Sequence, residues 1–215
     1  KEVHVSWTPT TEGPISIYGY VNFAADANPD NNATNPINLN VQPEGIVAIT
    51  IGSGQVYPDS RMPFDFYYKN SFSQTIYYSS EMGLDFGLIT SLSYTNNFVT
   101  DLTNKDIKIW MGETDVNNLS GGWIDLESLT LVYDGEMDFP SGENTILFNL
   151  DQPYVYSGGN LVIYTNRVWE DQYFSSSDKF YGTLDDGSNR TRRIAADGTG
   201  SLDPANPGTG TLSHW

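Results

Sequence analysis

The chain reads as an all-β protein built on an antiparallel β-sandwich, and three observations predict it. Within residues 129–164, three β-rich runs are punctuated by Asp134-Gly135, Pro140-Ser141-Gly142 and Ser157-Gly158-Gly159, with no helical periodicity between them. Ile15, Ile17, Gly19, Val21 and Phe23 alternate with Ser16, Tyr18, Tyr20 and Asn22, the period of a strand with one buried face. Charged residues make up only 17% of the chain, while 14 Tyr, 10 Phe and 5 Trp supply bulk that suits pleated sheets.

Taken in order, Val3, Val5 and Trp7 alternate with polar residues before a turn over residues 8–14. The strand from Ile15 follows, then a polar loop over 24–33, then a strand over residues 37–41 and a linker over 42–45. Three strands make a poor sandwich alone, so residues 1–41 read as a partial immunoglobulin-like β-unit. From Ile46 a second unit begins. Its predicted strands cover residues 46–51, 73–79, 88–94, 107–112, the three runs already named, 179–182 and 190–194. Residues 113–119 suit one helical turn. About ten strands in this length predict a two-sheet sandwich of jelly-roll type over residues 46–215.

Composition excludes several function classes. With 27 acidic against 10 basic residues the net charge is −17, a field that repels phosphate backbones and anionic lipid heads. Nucleic-acid binding and direct membrane insertion are therefore not expected. Calcium is the cation that clustered carboxylates attract. There is no cysteine, so disulfides, thiolate metal sites and cysteine nucleophiles are absent. The opening in strand-like alternation predicts a mature fragment of a longer protein, with both ends incomplete.

Two stretches resemble known families. Trp7, Pro9, Gly13, Ile17, Gly19, Tyr20, Asp26, Asn28, Asp30, Asn32, Leu39 and Val41 follow the late-strand pattern of CARDB-like immunoglobulin modules of bacterial cell-surface proteins. Ile49 to Gly54, Ser73 to Tyr77, Gly87 to Ser93, Ile107 to Thr114, Leu131 to Gly135, Tyr156 to Ile163 and Phe180 to Gly182 resemble, in order, a jelly-roll module of secreted Bacteroidetes surface proteins. Modules of that kind are exported by the type IX system and are similar in outline to galactose-binding-like domains. The resemblance implies an extracellular, cell-surface setting and no single activity.

No catalytic constellation stands out. His4 and His214 are the only histidines and neither carries a metal-binding spacing. Asp134, Glu136 and Asp138, or Glu170 and Asp171, are pairs a glycosidase would need, but loop acids are commonplace. The calcium candidates are Asp26, Asn28 and Asp30 in one Asx-rich loop, Asp185 in a second and Asp197 in a third, each also readable as an ordinary turn. The candidate glycan platform is Tyr57, Phe66, Tyr68, Trp123 and Trp169, aromatics able to stack on sugar rings. Arg190, Arg192 and Arg193 form the one basic concentration, suited to an acidic neighbour or to guarding a strand edge.

These features predict a non-catalytic structural or adhesive module of an extracellular bacterial surface protein. Its partners would be cell-surface or extracellular proteins and glycans, and it would self-associate through β-edge pairing. The alternative is a carbohydrate-binding module of a secreted glycan-degrading system.

Overall fold

The computed structural model describes residues 4, 6–23, 28, 31–41, 45–52, 54, 61–184, 187–198 and 202–215. It is 47% strand and 4% helix, so the all-β reading holds. The chain divides into two compact units, Lys1–Thr50 and Ile51–Trp215.

In the first unit, β1 (Gly13–Ile17) pairs antiparallel with β2 (Ile37–Val41), Ile15 opposite Leu39. The regular strand is shorter than the alternation through Phe23 predicts. Among the described residues the ribbon continues through the Tyr20–Ala33 bridge and the bonds Val21 N to Asn32 O and Thr34 N to Gly19 O. A two-stranded ribbon buries little, and Trp7, Tyr18, Tyr20, Val21, Phe23 and Ile37 are all exposed. Residues 46–51 form no strand: Ile46 and Val47 face solvent, so their apolar alternation has no sheet to join.

The second unit is an antiparallel sandwich of unequal sheets. Its strands are β3 (Asn70–Tyr77), β4 (Gly87–Phe98), β5 (Leu102–Thr114), β6 (Thr130–Phe139), β7 (Gly142–Tyr156), β8 (Asn160–Arg167), β9 (Lys179–Phe180), β10 (Thr191–Ala196) and β11 (Thr211–Ser213). The larger sheet runs β11-β10-β3-β8-β5-β6 and the smaller β7-β4-β9. The chain crosses between sheets at most connections, the wiring of a jelly-roll type sandwich. Pro140 to Gly142 and Ser157 to Gly159 make the turns the sequence predicts. Asp134-Gly135 does not: β6 runs straight through it, with Gly135 opposite Ile107. The cross-strand partners decide, since β5 offers an unbroken ladder there. The helical turn predicted over 113–119 falls elsewhere, as α1 (Ser79–Met82) and a 3₁₀ turn at Leu126–Ser128, while Glu113 and Thr114 complete β5.

Between the sheets lies one apolar core. Ile107, Ile109, Met111, Tyr133 and Ile163 from the larger sheet meet Phe98, Ile146 and Phe148 from the smaller. Three strands cannot cover six, and residues 61–66 fill the difference. Ser73 Oγ and Thr165 Oγ1 both donate to the Pro63 carbonyl, at 3.0 and 2.8 Å, and Asp65 N donates to Ser71 Oγ at 2.9 Å. This pins the segment so that Phe64 enters the core, with ring centroids of Tyr94, Phe139, Phe148 and Phe180 all 5.7–6.2 Å away.

The outer face of the larger sheet is roofed by residues 115–129 and 202–210. Gln74 Nε2 donates to Ile124 O at 2.9 Å and its Oε1 accepts from Ile124 N at 2.7 Å. The Arg192 guanidinium donates to the carbonyls of Leu119, Ser120 and Thr209. Trp123 lies against Tyr164 and donates to Gly208 O at 2.8 Å. Gly210 has φ +62°, and a Cβ there would sit 2.6 Å from the Trp123 ring, so only glycine closes this roof.

Replacing Phe64 with Ala leaves a cavity facing four rings and is expected to cost about 3–5 kcal/mol in chemical denaturation. Phe86→Ala, on an exposed side chain, should stay within about 0.5 kcal/mol. A second expectation concerns alkaline pH. The Tyr77 and Tyr94 hydroxyls are hydrogen-bonded to each other inside the sandwich. Burial pushes Tyr77 up to about 12 and Tyr94 well above its ordinary value. Both folded values exceed the unfolded phenol's about 10. Their contribution is therefore complete below about pH 10 and is lost as pH rises toward about 12. Denaturation midpoints measured across that window should fall, and Tyr94→Phe should make the fall shallower.

Candidate functional site

The structure separates the predicted aromatic platform. Phe66 is a core residue, its ring 4.8 Å from Phe139, and offers no face to a sugar. Trp123 is committed to the roof over Tyr164. Tyr57 lies outside the described residues. Tyr68 and Trp169, by contrast, come together on neighbouring loops at one end of the sandwich. Glu170 N donates to Lys69 O at 3.0 Å and Phe174 N to Phe66 O at 2.8 Å, so residues 65–69 and 168–174 run side by side.

Two further aromatics stand on these loops and are well exposed, Tyr67 and Tyr173. Tyr67 packs perpendicular to Tyr68 at 5.2 Å, and the Arg61 guanidinium lies 5.2 Å over the Tyr67 ring. Below them is a buried ionic base. Arg167, 1% exposed, donates to Tyr68 O at 2.7 Å, Gln172 O at 2.9 Å and Glu170 Oε2 at 2.9 Å. Lys105 Nζ reaches Glu170 Oε1 at 2.6 Å and sits 4.5 Å over the Phe174 ring. Desolvation lowers the pKa of Arg167, and the Glu170 carboxylate opposes that shift. Asp65, equally buried, is held by Arg61 at 3.1 Å and Arg193 at 3.2 Å. The aromatic end is thus mounted on ties that fix the loops.

Four of the five acids that suggest hydrolysis, all but Glu136, are already engaged. Glu170 is shared by Arg167 and Lys105, and Asp171 pairs with Lys69 Nζ at 2.6 Å. Asp134 pairs with Lys108 at 2.7 Å, and Asp138 Oδ1 accepts from Asn104 N. The basic cluster is internal as well: β10 lies between β11 and β3, so its arginines guard no edge. Arg190 pairs with Glu81 at 2.7 Å and lies 3.6 Å over the Trp215 ring, while Arg193 reaches Asp65.

Of the calcium candidates, Asp26, Asp30 and Asp185 lie outside the described residues. Asn28 is exposed. Asp197 follows β10, and its Oδ1 accepts from Lys69 N at 3.1 Å, beside the aromatic end. Among the described residues no three histidine or acidic side chains converge as a metal set. No described helix is long and apolar enough to cross a membrane.

A second surface feature went unmarked in the sequence. Phe86 is 80% exposed on the turn before β4, next to Leu84, and Leu88 stands opposite Val155 across β4 and β7, Val155 being 71% exposed. The corner is rigid. The Glu113 carboxylate accepts from Ser157 N at 2.7 Å and Gly159 N at 2.8 Å. Gly158, φ +100°, packs so closely that a Cβ would lie 2.6 Å from Asp85 O. Apolar residues after Gly83 resemble strand core, which is why alternation alone does not flag them.

No family model, curated protein or solved structure matches the chain. The geometry therefore carries the functional argument.

Glu170→Gln should leave Arg167 without its carboxylate. Because Glu170 is about one-third exposed, the loss should fall below the about 3–5 kcal/mol of a fully buried pair. A urea melt of this variant checks it, and Asp171→Asn, on an exposed pair, should cost under about 1 kcal/mol.

Proposed function

We propose that the chain is a non-catalytic structural and adhesive module of an extracellular bacterial surface protein. The observation that carries this reading is the Phe86 corner: the exposed apolar side chains of Leu84, Phe86, Leu88 and Val155, on a turn that packs closely against Gly158, in a loop whose neighbouring amides Glu113 holds. Keeping such a cluster rigid in solvent gives the fold nothing, whereas a preorganised apolar patch lowers the ordering cost of gripping a partner. The engagement of Glu170, Asp171, Asp134 and the arginines in internal ties supports a holding role over a chemical one.

Assembly by strand pairing is favoured in the first unit rather than the sandwich. The free edge of β6 carries Asp134, Glu136 and Asp138, and β7 carries Asp151 and Pro153, residues that blunt an edge. The β1–β2 ribbon contains no charged residue.

A second reading, a carbohydrate-binding module, is favoured by the exposed Tyr67 and Tyr173 beside Tyr68 and Trp169, since aromatic faces with neighbouring Arg and Asp groups suit sugar rings.

Beads coated with the full chain test both readings against surfaces carrying the same chain, a basic protein or immobilised polysaccharides. Adhesion to a protein surface that drops at least tenfold with Phe86→Ser/Leu88→Ser supports the adhesive role. Adhesion confined to polysaccharide, unchanged by that variant and abolished by Tyr67→Ala/Tyr173→Ala, replaces it with the second reading. Light scattering of Ile17→Lys/Ile37→Lys checks the ribbon: any self-association of the wild type should disappear.

A further inference from the structure

The two ends of the sandwich differ in charge. β3 starts at Asn70, beside the aromatic loops, and ends at Tyr77, from where α1 leads to the Phe86 corner; β8 returns from Asn160 to Arg167. A strand of eight residues separates the ends by roughly 25 Å. At the aromatic end the acids are neutralised: Asp65 meets Arg61 and Arg193, Glu170 meets Arg167 and Lys105, and Asp171 meets Lys69. The corner end is built from residues 79–92, 113–118 and 153–160, which contain no Lys or Arg and four acids, Glu81, Asp85, Glu113 and Asp115. Arg190 pairs with Glu81 and is itself buried. Glu113 holds the amides of Ser157 and Gly159 and meets no cation among the described residues. Asp85 and Asp115 are exposed and make no hydrogen bond or ion pair among the described residues. This negative charge acts on the nearest phenol. Burial raises the pKa of the Tyr156 hydroxyl, and the charges of Glu113 and Asp85 raise it further.

Among these acids stand Leu84, Phe86, Leu88 and Val155. The loop carrying Asp115 adjoins them through Asn160, whose side chain accepts from Ser79 N at 3.1 Å and donates to Val116 O at 3.3 Å. That loop adds Val116, 46% exposed. Exposed apolar side chains gathered with an acidic rim mark a contact surface, and the rim selects the occupant. A second copy of this chain would bring its own net charge of −17, and anionic lipid heads are repelled in the same way. An apolar side chain flanked by lysine or arginine satisfies both parts of the surface. Its apolar portion covers the patch, and its cations face carboxylates that keep their water at an exposed rim and so lose little by desolvation.

We propose that the Phe86 corner docks a cationic amphipathic segment of a partner protein, with bulky apolar side chains against Phe86, Leu88 and Val155 and lysine or arginine beside Asp85 and Asp115. This inference rests on the adhesive reading and names the class of partner.

The test follows the fluorescence anisotropy of three labelled synthetic peptides added to the full chain, in which leucine alternates with lysine, with serine or with glutamate. The lysine peptide should bind at least tenfold more tightly than the other two. Its affinity should fall at least threefold between about 0.05 M and about 0.5 M salt, as screening shortens the reach of the rim charges. Phe86→Ser should lower that affinity at least tenfold. Asp85→Asn/Asp115→Asn should flatten the salt dependence and remove the preference for lysine over serine. Asp125→Asn/Glu127→Gln removes the same net charge at the 3₁₀ turn and should change neither. All the substituted side chains are exposed, and a thermal melt checks that each variant folds. Equal binding of the lysine and serine peptides, lysine-peptide binding that survives Phe86→Ser, or the same loss of salt dependence in both double variants overturns the proposal, as does binding of none of the peptides. The adhesive reading fails separately, when coated beads adhere to no protein surface. Beads held by a protein surface through Phe86, with no advantage for the lysine peptide, overturn the partner class and leave that reading standing.

Discussion

Six strands face three in this sandwich, and the rest of the structure depends on how that mismatch is resolved. An uncovered half-sheet would expose Ser71, Ser73 and Thr165 together with the flank of the core. Residues 61–66 cover it by polar and apolar means at once. The hydroxyls of Ser73 and Thr165 hold the Pro63 carbonyl, and Phe64 and Phe66 fill the space between the sheets. This differs from a symmetric sandwich, in which both inner faces are wholly apolar. A polar stripe on an inner face is stable here because each group in it has a partner.

The same segment explains where the charges sit. Asp65 lies between two Phe residues that must point inward, so its carboxylate is carried into the protein, and Arg61 and Arg193 neutralise it there. Arg167 is drawn in at the end of β8 and is compensated by Glu170 and two carbonyls. Arg193 to Asp65, Lys105 to Glu170 and Arg167 to the Tyr68 carbonyl join segments distant in sequence, so several of the few basic residues of an acidic chain serve as staples for loops. The exposed aromatics at that end stand on loops tied by these staples.

Much of the fold was legible because it rests on local signals. Period-2 alternation in residues 107–112 and 154–164, with Pro140 to Gly142 and Ser157 to Gly159 between runs, specifies strands and turns without reference to distant residues. Misreadings arise where a distant partner decides. Asp134-Gly135 is a turn dipeptide that β5 holds straight, residues 46–51 are strand-like but find no neighbour, and residues 113–114 extend β5 because β8 pairs with them. The candidate site was half legible. Tyr68 and Trp169 were marked by residue type, while Tyr67, Tyr173 and the Phe86 corner depend on which ring faces the core.

The sequence by itself determined the all-β class, the principal turns, the absence of disulfides and the strongly acidic surface, since these follow from composition and short-range pattern. Only the tertiary structure decided which aromatics are core and which are surface, and which carboxylates are already neutralised. Residue type states what a side chain can do. Strand order and register state what it meets, and in an antiparallel sandwich the neighbours of a residue come from strands scores of residues away.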